Sequence, residues 1–494
     1  MPRTAYFLGF LALFGTIMWM AAGAFGVASQ RQVQHVYLAD ALAPLPDTDM
    51  QVSWHAPNRP LSRPLSDAER LLIGRAFAQG FRNLALAQEA HDPLLLVDHF
   101  TGIAAKRAAL SVTDAKTHGG RMVVLSHNLT PTFFHPDGSL FQAKTQMLTA
   151  RFLPDTDGGL RHVELTRDTG TVTFRNGLIG WRIWSFERRG STPVTRQPAP
   201  WTGRMNGINY YPAATPWRAF WPRFDANQTA ADLDRITGLG ADTIRIFLQR
   251  EAFLGPDAAT HLAHLETLLG LARERGLRVV PTLFDLKGDY GLATWPTDRT
   301  YLRAVLPVLT AFPNVELVDL KNEPDLDFAT HGRAKVEAWI STMSQITGQI
   351  APALPQTVGW SHVDAAPVMA DQLDVLTYHD YADIAGTAAR LTDLRTAFPD
   401  HPVLVTEIGA STFGLLLGQP GSPTSQARKL DLRMRALKDA DGVFIWTLYD
   451  FPNVDPSVVG RSPWVRKLQS GFGLLRADGG EKPAAAVIRR HFGE

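Results

Sequence analysis

From residue 205 onward, short apolar runs alternate with stretches whose apolar positions recur every three or four residues. The runs at 205–211, 242–248, 277–284, 315–321, 357–361, 375–379, 403–407 and 443–448 predict strands. The stretches near 230–239, 258–275, 301–310, 333–350, 384–398, 425–439 and 483–492 predict amphipathic helices. Strand and helix alternating in this way is the mark of an α/β fold. Eight units within residues 204–494 match a (β/α)₈ TIM barrel, which takes about 250 residues before insertions. An open doubly wound sheet is the competitor, but no Gly-rich phosphate loop follows any of these strands.

The pattern upstream has a different period. Ser66 is placed to cap a helix on which Ile73, Phe77, Phe81 and Leu84 share a face, and residues 101–109 predict a second helix. Alternating runs then follow at 122–125, 140–150, 160–165, 170–175 and 179–186, separated by Asp-Gly and Asn-Gly turns. Helices followed by a strand meander predict a smaller α+β domain over 35–189, with a Pro- and Ser/Thr-containing linker at 190–203 before the barrel domain at 204–494. The closing Asn176-Gly177-Leu178-Ile179-Gly180-Trp181 run, after those helices, resembles the last hairpin of nuclear-transport-factor-like cone domains. His127, His135 and Asp137 read as turn and surface residues.

Residues 5–28 carry no charge and include Phe7, Leu8, Phe10, Leu11, Leu13, Phe14, Ile17 and Trp19, enough to span a bilayer as a helix. The run exceeds the usual signal-peptide core of about 7–15 residues, which favours a transmembrane anchor within 1–34 over a cleaved signal ending near Gly26-Val27-Ala28. Either expectation puts the bulk of the chain on the extracytoplasmic, periplasmic side of a membrane. The 49 Lys and Arg against 48 Asp and Glu leave no global field for a polyanion, so nucleic acid is not expected as a partner. The absence of cysteine excludes disulfides, thiolate metal sites and thiol nucleophiles.

In a barrel the chemistry collects where strands end at one mouth. The fourth predicted strand ends in Asn322-Glu323-Pro324 and the seventh in Glu407-Ile408-Gly409. A carboxylate at the end of an apolar strand costs several kcal/mol unless it is paired or functional. These two segments resemble the acid/base and nucleophile positions of clan A glycoside hydrolases, the cellulase-type retaining (β/α)₈ enzymes. Arg245 in Thr243-Ile244-Arg245-Ile246-Phe247, Tyr378-His379 and Trp446 in Phe444-Ile445-Trp446 fit that pattern in order along about 290 residues. The chain departs from it after the third strand, where many relatives carry His and this one has Phe284-Asp285-Leu286-Lys287.

The resemblance implies a retaining glycosidase acting on a β-linked polysaccharide or oligosaccharide. Cleaving an acetal needs a proton on the leaving oxygen and a carboxylate on the opposite face of an oxocarbenium-like transition state. Glu323 is expected to be the acid/base, kept protonated, and Glu407 the nucleophile, held ionised by Arg245. Asn322 is expected to bind the sugar 2-hydroxyl, Tyr378 and His379 to orient a carboxylate, and Trp446 to offer a ring face to the sugar. Tyr210, Tyr211, Trp217 and Trp221 after the first strand, and Asp285 and Trp295 after the third, are candidates for flanking subsites. No metal-ligand spacing is present, so neither a metal nor another cofactor is expected. Ser411 lacks a nucleophile-elbow motif, which disfavours a serine hydrolase. The same two glutamates would also serve a transglycosylase. A non-catalytic polysaccharide-binding component of an export machinery is the rival of another class.

Overall fold

A computed structural model describes residues 52–414 and 421–493; the apolar stretch at 5–28 lies outside them. No helix among the described residues is long and apolar enough to cross a membrane. The chain divides into two compact units, one comprising residues up to 151 with 166–192 and 291–296, the other 152–165, 193–290 and 297 onward.

The first unit is built on a five-stranded sheet in the order β1-β2-β3-β4-β5 (Val52–Trp54, Arg121–Phe134, Leu140–Pro154, Leu160–Gly177, Gly180–Pro193). Strand β1 pairs in parallel with β2, and the last four strands follow one another through tight turns. The helix Asp67–Ala90 begins in a capping box in which Ser66 and Glu69 satisfy each other's backbone N–H groups. Its apolar stripe of Ile73, Phe77, Phe81 and Leu84 is buried with Phe134, Phe141 and Phe174 from the sheet. Each such side chain contributes about 1.5–3 kcal/mol by leaving water.

Three expectations are corrected here. The runs at 160–165 and 170–175 are one strand, because Gly170 is a point of close approach: a Cβ there would lie 2.4 Å from the Glu187 carbonyl oxygen. Residues 190–193, assigned to the linker, belong to β5. His127 is buried against the rings of Phe77 and Phe81. His135 and Asp137 do form an exposed turn, joined through Nδ1 at 2.6 Å.

In the second unit, eight parallel strands close into a barrel: β6 (Met205–Asn209), β7 (Thr243–Phe247), β8 (Arg278–Thr282), β9 (Val318–Asn322), β10 (Gln356–Trp360), β11 (Leu376–His379), β12 (Val403–Ile408) and β13 (Gly442–Ile445), which pairs back onto β6. Each lies within or beside a predicted apolar run. Seven longer helices return the chain between strands or close it, among them Ala226–Gly238, Ala258–Glu274, Arg333–Ile350 and Pro483–Gly493. Between β10 and β11 only short 3-10 turns intervene, where no helix is predicted from sequence. Met205, Val280, Leu317, Val375, Leu404 and Phe444 form an apolar cluster with Trp201, while polar side chains collect at the strands' C-terminal ends. Beyond β13 the chain forms two short helices, Pro456–Val459 and Pro463–Gln469, which the apolar pattern does not signal.

Candidate active site

The site is organised around Arg245, inward-facing on β7 and fully removed from solvent. Its Nη1 donates to Glu407 Oε1 at 2.7 Å and to Asn209 Oδ1 at 2.9 Å. Its Nη2 donates to Asp319 Oδ2 at 2.7 Å and to Asn322 Oδ1 at 2.8 Å. Burial works against the charged guanidinium, but Asp319 and Glu407 outweigh it and raise the Arg245 pKa above its ordinary value. Asp319 is wholly buried and also accepts from the Thr282 hydroxyl at 2.9 Å and the Gly359 N–H at 2.9 Å. Gly359 is what lets the pair close: a Cβ there would stand 2.9 Å from both Arg245 Nη2 and Asp319 Oδ2.

The two glutamates reach the mouth by different backbone routes. Glu407 sits one residue before the end of β12, paired in register with His379 of β11 beside an irregularity in that ladder. Glu323 lies just beyond β9 in a left-handed conformation (φ 48°), its N–H held by the Gly359 carbonyl at 2.7 Å. A non-glycine residue in that region carries roughly 1–3 kcal/mol of strain, a cost often found where a side chain is aimed for function. One carboxylate oxygen of each glutamate and an imidazole nitrogen of His379 all lie within 4.8 Å of one another.

His379 Nδ1 approaches Glu323 Oε1 at 2.8 Å and Glu407 Oε2 at 3.7 Å. Burial favours a protonated Glu323, yet the hydrogen bond and charge of His379, with Lys321 and Arg245, outweigh it and lower the pKa. His379 is displaced the other way: burial disfavours its charge, but Glu407 and Glu323 raise it above 6.5. The expectation that its surroundings keep Glu323 protonated is therefore corrected. The 2.8 Å contact between His379 Nδ1 and Glu323 Oε1 thus pairs an imidazole whose pKa is raised with a carboxyl group whose pKa is lowered.

Glu323, Glu407 and Asn322 line a cleft of about 480 Å³ together with Trp446, Trp217 and Asp285, so these sequence-predicted residues come together at the mouth. Arg245 and His379 stand against the two carboxylates. Tyr211, considered beside Tyr210, also lines the cleft and stacks on Phe247 at 5.0 Å.

Four predicted residues, Tyr210, Tyr378, Trp295 and Trp221, do not line the cleft. Tyr210 is buried with its hydroxyl on Asp232 of the helix Ala226–Gly238 at 3.0 Å, as strand alternation requires for the neighbour of an inward residue. Tyr378 is excluded for the same reason: His379 faces the mouth, and among the described residues the buried Tyr378 hydroxyl has no hydrogen-bond partner. Trp295 is fully buried at the start of the helix Trp295–Thr310. Of the flanking candidates, Trp221 is likewise buried and donates through Nε1 to the Phe247 carbonyl at 2.9 Å.

The sequence reading missed Tyr381, whose hydroxyl donates to Glu407 Oε2 at 3.0 Å. It lies two residues beyond His379, past the end of β11, where strand alternation gives no signal. Asp319 and Asn209, polar residues within or ending apolar strands, were also missed. So was the wall formed by Val458, Val459, Val465 and Leu468 of the two short helices.

Glu323, His379 and Glu407 have the mutual spacing of a three-ligand cation site. The Arg245 guanidinium already stands 2.7 Å from Glu407, and His379 Nδ1 is engaged with Glu323, so the group is built as an ion-pair network. Paired carboxylates in a cleft, one braced by a buried arginine and the other in contact with histidine, can combine nucleophilic attack with proton transfer.

No family model matches the chain, and no curated protein sequence matches it. Among solved structures, the exo-β-1,4-mannosidase Op5Man5 from Opitutaceae bacterium strain TAV5 is similar at 23% identity and a TM-score of 0.50, over 59% of this chain and 59% of that one. That match spans less than two thirds of the mannosidase's length. A GH5_18 protein from Streptomyces cattleya, solved in complex with GlcNAc, is 22% identical with a TM-score of 0.49 over 59% of this chain and 80% of that one. A GH2 β-galacturonidase from Eisenbergiella tayi bound to galacturonate gives 16% and 0.46 over 75% and 72%. At 23% identity the likeness to the mannosidase is one of fold alone.

Proposed function

We propose that this protein is a retaining glycosidase acting on a β-linked oligosaccharide or polysaccharide. The observation that carries the reading is the approach of Glu323 and Glu407 to within 4.8 Å, oxygen to oxygen, in one cleft at the strand ends of the barrel. Retaining enzymes place their carboxyl groups about 5–5.5 Å apart, whereas inverting ones hold them about 6.5–9.5 Å apart to admit a water.

In the first step a Glu407 oxygen attacks the anomeric carbon while the bond to the leaving oxygen breaks. Glu323 delivers a proton to that oxygen, drawn across the 2.8 Å contact from His379 Nδ1. In the second step water loses a proton to Glu323, attacks the anomeric carbon and releases Glu407, so two inversions restore the starting configuration. Arg245 and Tyr381 hold Glu407 in line through its two oxygens. Asn322, fixed by Arg245, stands beside Glu323 for the sugar 2-hydroxyl. Trp446 supplies the apolar face. We further propose, from the uncharged stretch at 5–28 alone, that the chain is tethered to a membrane with the barrel outside the cytoplasm.

The test is turnover of a panel of β-linked aryl glycosides and oligosaccharides by the wild type, Glu323→Gln and Glu407→Gln. The wild type is expected to cleave at least one member. Glu407→Gln should fall below detection and Glu323→Gln should lose about 10²–10⁴-fold. Turnover unaffected by either substitution would remove the reading.

A further inference from the structure

Asp285 follows β8 at the position where the chain departs from the resemblance, and it lines the cleft although its residue is only 4% exposed. Its Oδ2 accepts from the Tyr211 hydroxyl at 2.9 Å and from Gln249 Nε2 at 2.9 Å. Gln249 Nε2 also reaches the Tyr211 oxygen at 3.1 Å, which leaves the phenolic proton directed at Asp285. Both donors converge on Oδ2, and among the described residues no donor reaches Oδ1 of this cleft-lining residue. Burial raises the Asp285 pKa above its ordinary value, and the bonds from Gln249 and Tyr211 with the more distant Lys321 and Arg245 offset only part of that rise. Among the described residues no Lys or Arg comes within ion-pair distance of it. A carboxylate so buried, held by two neutral donors, is costly unless a ligand completes its hydrogen bonding.

The charge of the cleft points the same way. Among the described residues its lining includes the carboxylates of Asp285, Glu323 and Glu407 and no Lys or Arg; Arg245 pairs with Glu407 without lining the cleft. Like-charge juxtaposition in a binding site costs several kcal/mol. We infer that Asp285 is a specificity-determining residue that accepts a hydrogen bond from a hydroxyl or ammonium group of the substrate sugar and excludes sugars bearing a carboxylate. This rests on the glycosidase reading and narrows it to neutral or amino-bearing β-glycosides. Tyr211 and Gln249 are positioning residues that fix the carboxylate.

The experiment measures kcat/KM for matched aryl β-hexosides, 2-amino-2-deoxyhexosides and hexuronides on wild type, Asp285→Asn and Tyr211→Phe. The wild type should turn over a hexoside or its amino counterpart and discriminate against the hexuronide. Asp285→Asn, isosteric and still able to accept from Tyr211 and Gln249, should lower that discrimination by roughly tenfold or more. Tyr211→Phe, which loosens the carboxylate but keeps its charge, should raise KM for hexoside and hexuronide alike and leave their ratio unchanged. Cleavage with a selectivity that Asp285→Asn does not alter, or a wild-type preference for the hexuronide, overturns the role of Asp285 alone. Failure of the wild type to cleave any member overturns the glycosidase reading and this inference with it.

Discussion

Arg245 Nη1 meets Glu407 Oε1 at 2.7 Å, and the same guanidinium holds Asp319 at 2.7 Å through Nη2, with Arg245 and Asp319 both wholly buried. One side chain thus braces the carboxylate that faces the cleft and neutralises one that does not. Arg245→Ala strands both charges and should cost about 3–5 kcal/mol of stability, read from urea denaturation. Arg245→Lys keeps a charge but cannot bridge Asn209, Asp319, Asn322 and Glu407 together. It should fold and lose most of its kcat. Full activity in the lysine variant would show that the bridging geometry does not matter.

Gly359 admits that pair only because it has no side chain. Gly359→Ala would bring a methyl to within 2.9 Å of Arg245 Nη2 and Asp319 Oδ2, so one of these hydrogen-bonded side-chain ends must shift. A loss of about 1–3 kcal/mol is expected, with kcat falling more than KM rises. A variant as stable and active as the wild type would mean that the cluster relaxes freely.

The i, i+2 relation of His379 and Tyr381 makes a comparison of two tyrosines decisive. Tyr381→Phe removes a hydrogen bond to the Glu407 carboxylate and should lower kcat by about 10- to 100-fold, the equivalent of roughly 1.5–3 kcal/mol. Tyr378→Phe removes a buried hydroxyl that has no partner among the described residues and should leave kcat unchanged. The opposite order would put Tyr378 in the site.

That correction shows how far the sequence could be read. The eight strands were legible because each is a short apolar run closed by turn residues, and Glu323 and Glu407 because a carboxylate there contradicts the run that carries it. Arg245 was picked out only through the family resemblance. Strand parity at the irregular end of β11 was not legible, since the register shifts between Tyr378 and His379 and the next inward residue lies beyond the strand. Asp319 was hidden because nothing local distinguishes an inward aspartate with a distant arginine from an outward one in solvent. The cleft wall at Val458, Val459 and Val465 belongs to helices of four and seven residues, too short to establish a period.

The contact between His379 and Glu323 is expected to set the pH dependence. His379 is raised above 6.5 by Glu407 and Glu323, and Glu323 is lowered chiefly by His379, each against the opposing effect of burial. The alkaline limb of kcat/KM reports loss of the last proton from the pair, so it should lie above pH 6.5. His379→Gln leaves Glu323 to hold the proton alone as a carboxylic acid and should move that limb to lower pH. A limb that stays in place assigns the alkaline transition to another group.

The central claim is a double displacement by Glu407 and Glu323, and the configuration of the first-formed product tests it most directly. Proton NMR during early cleavage of a β-glycoside should show the β-anomer of the released sugar first, with the α-anomer growing in only as mutarotation proceeds. An α-anomer formed first would mean a single inversion by activated water and would contradict Glu407 as the nucleophile.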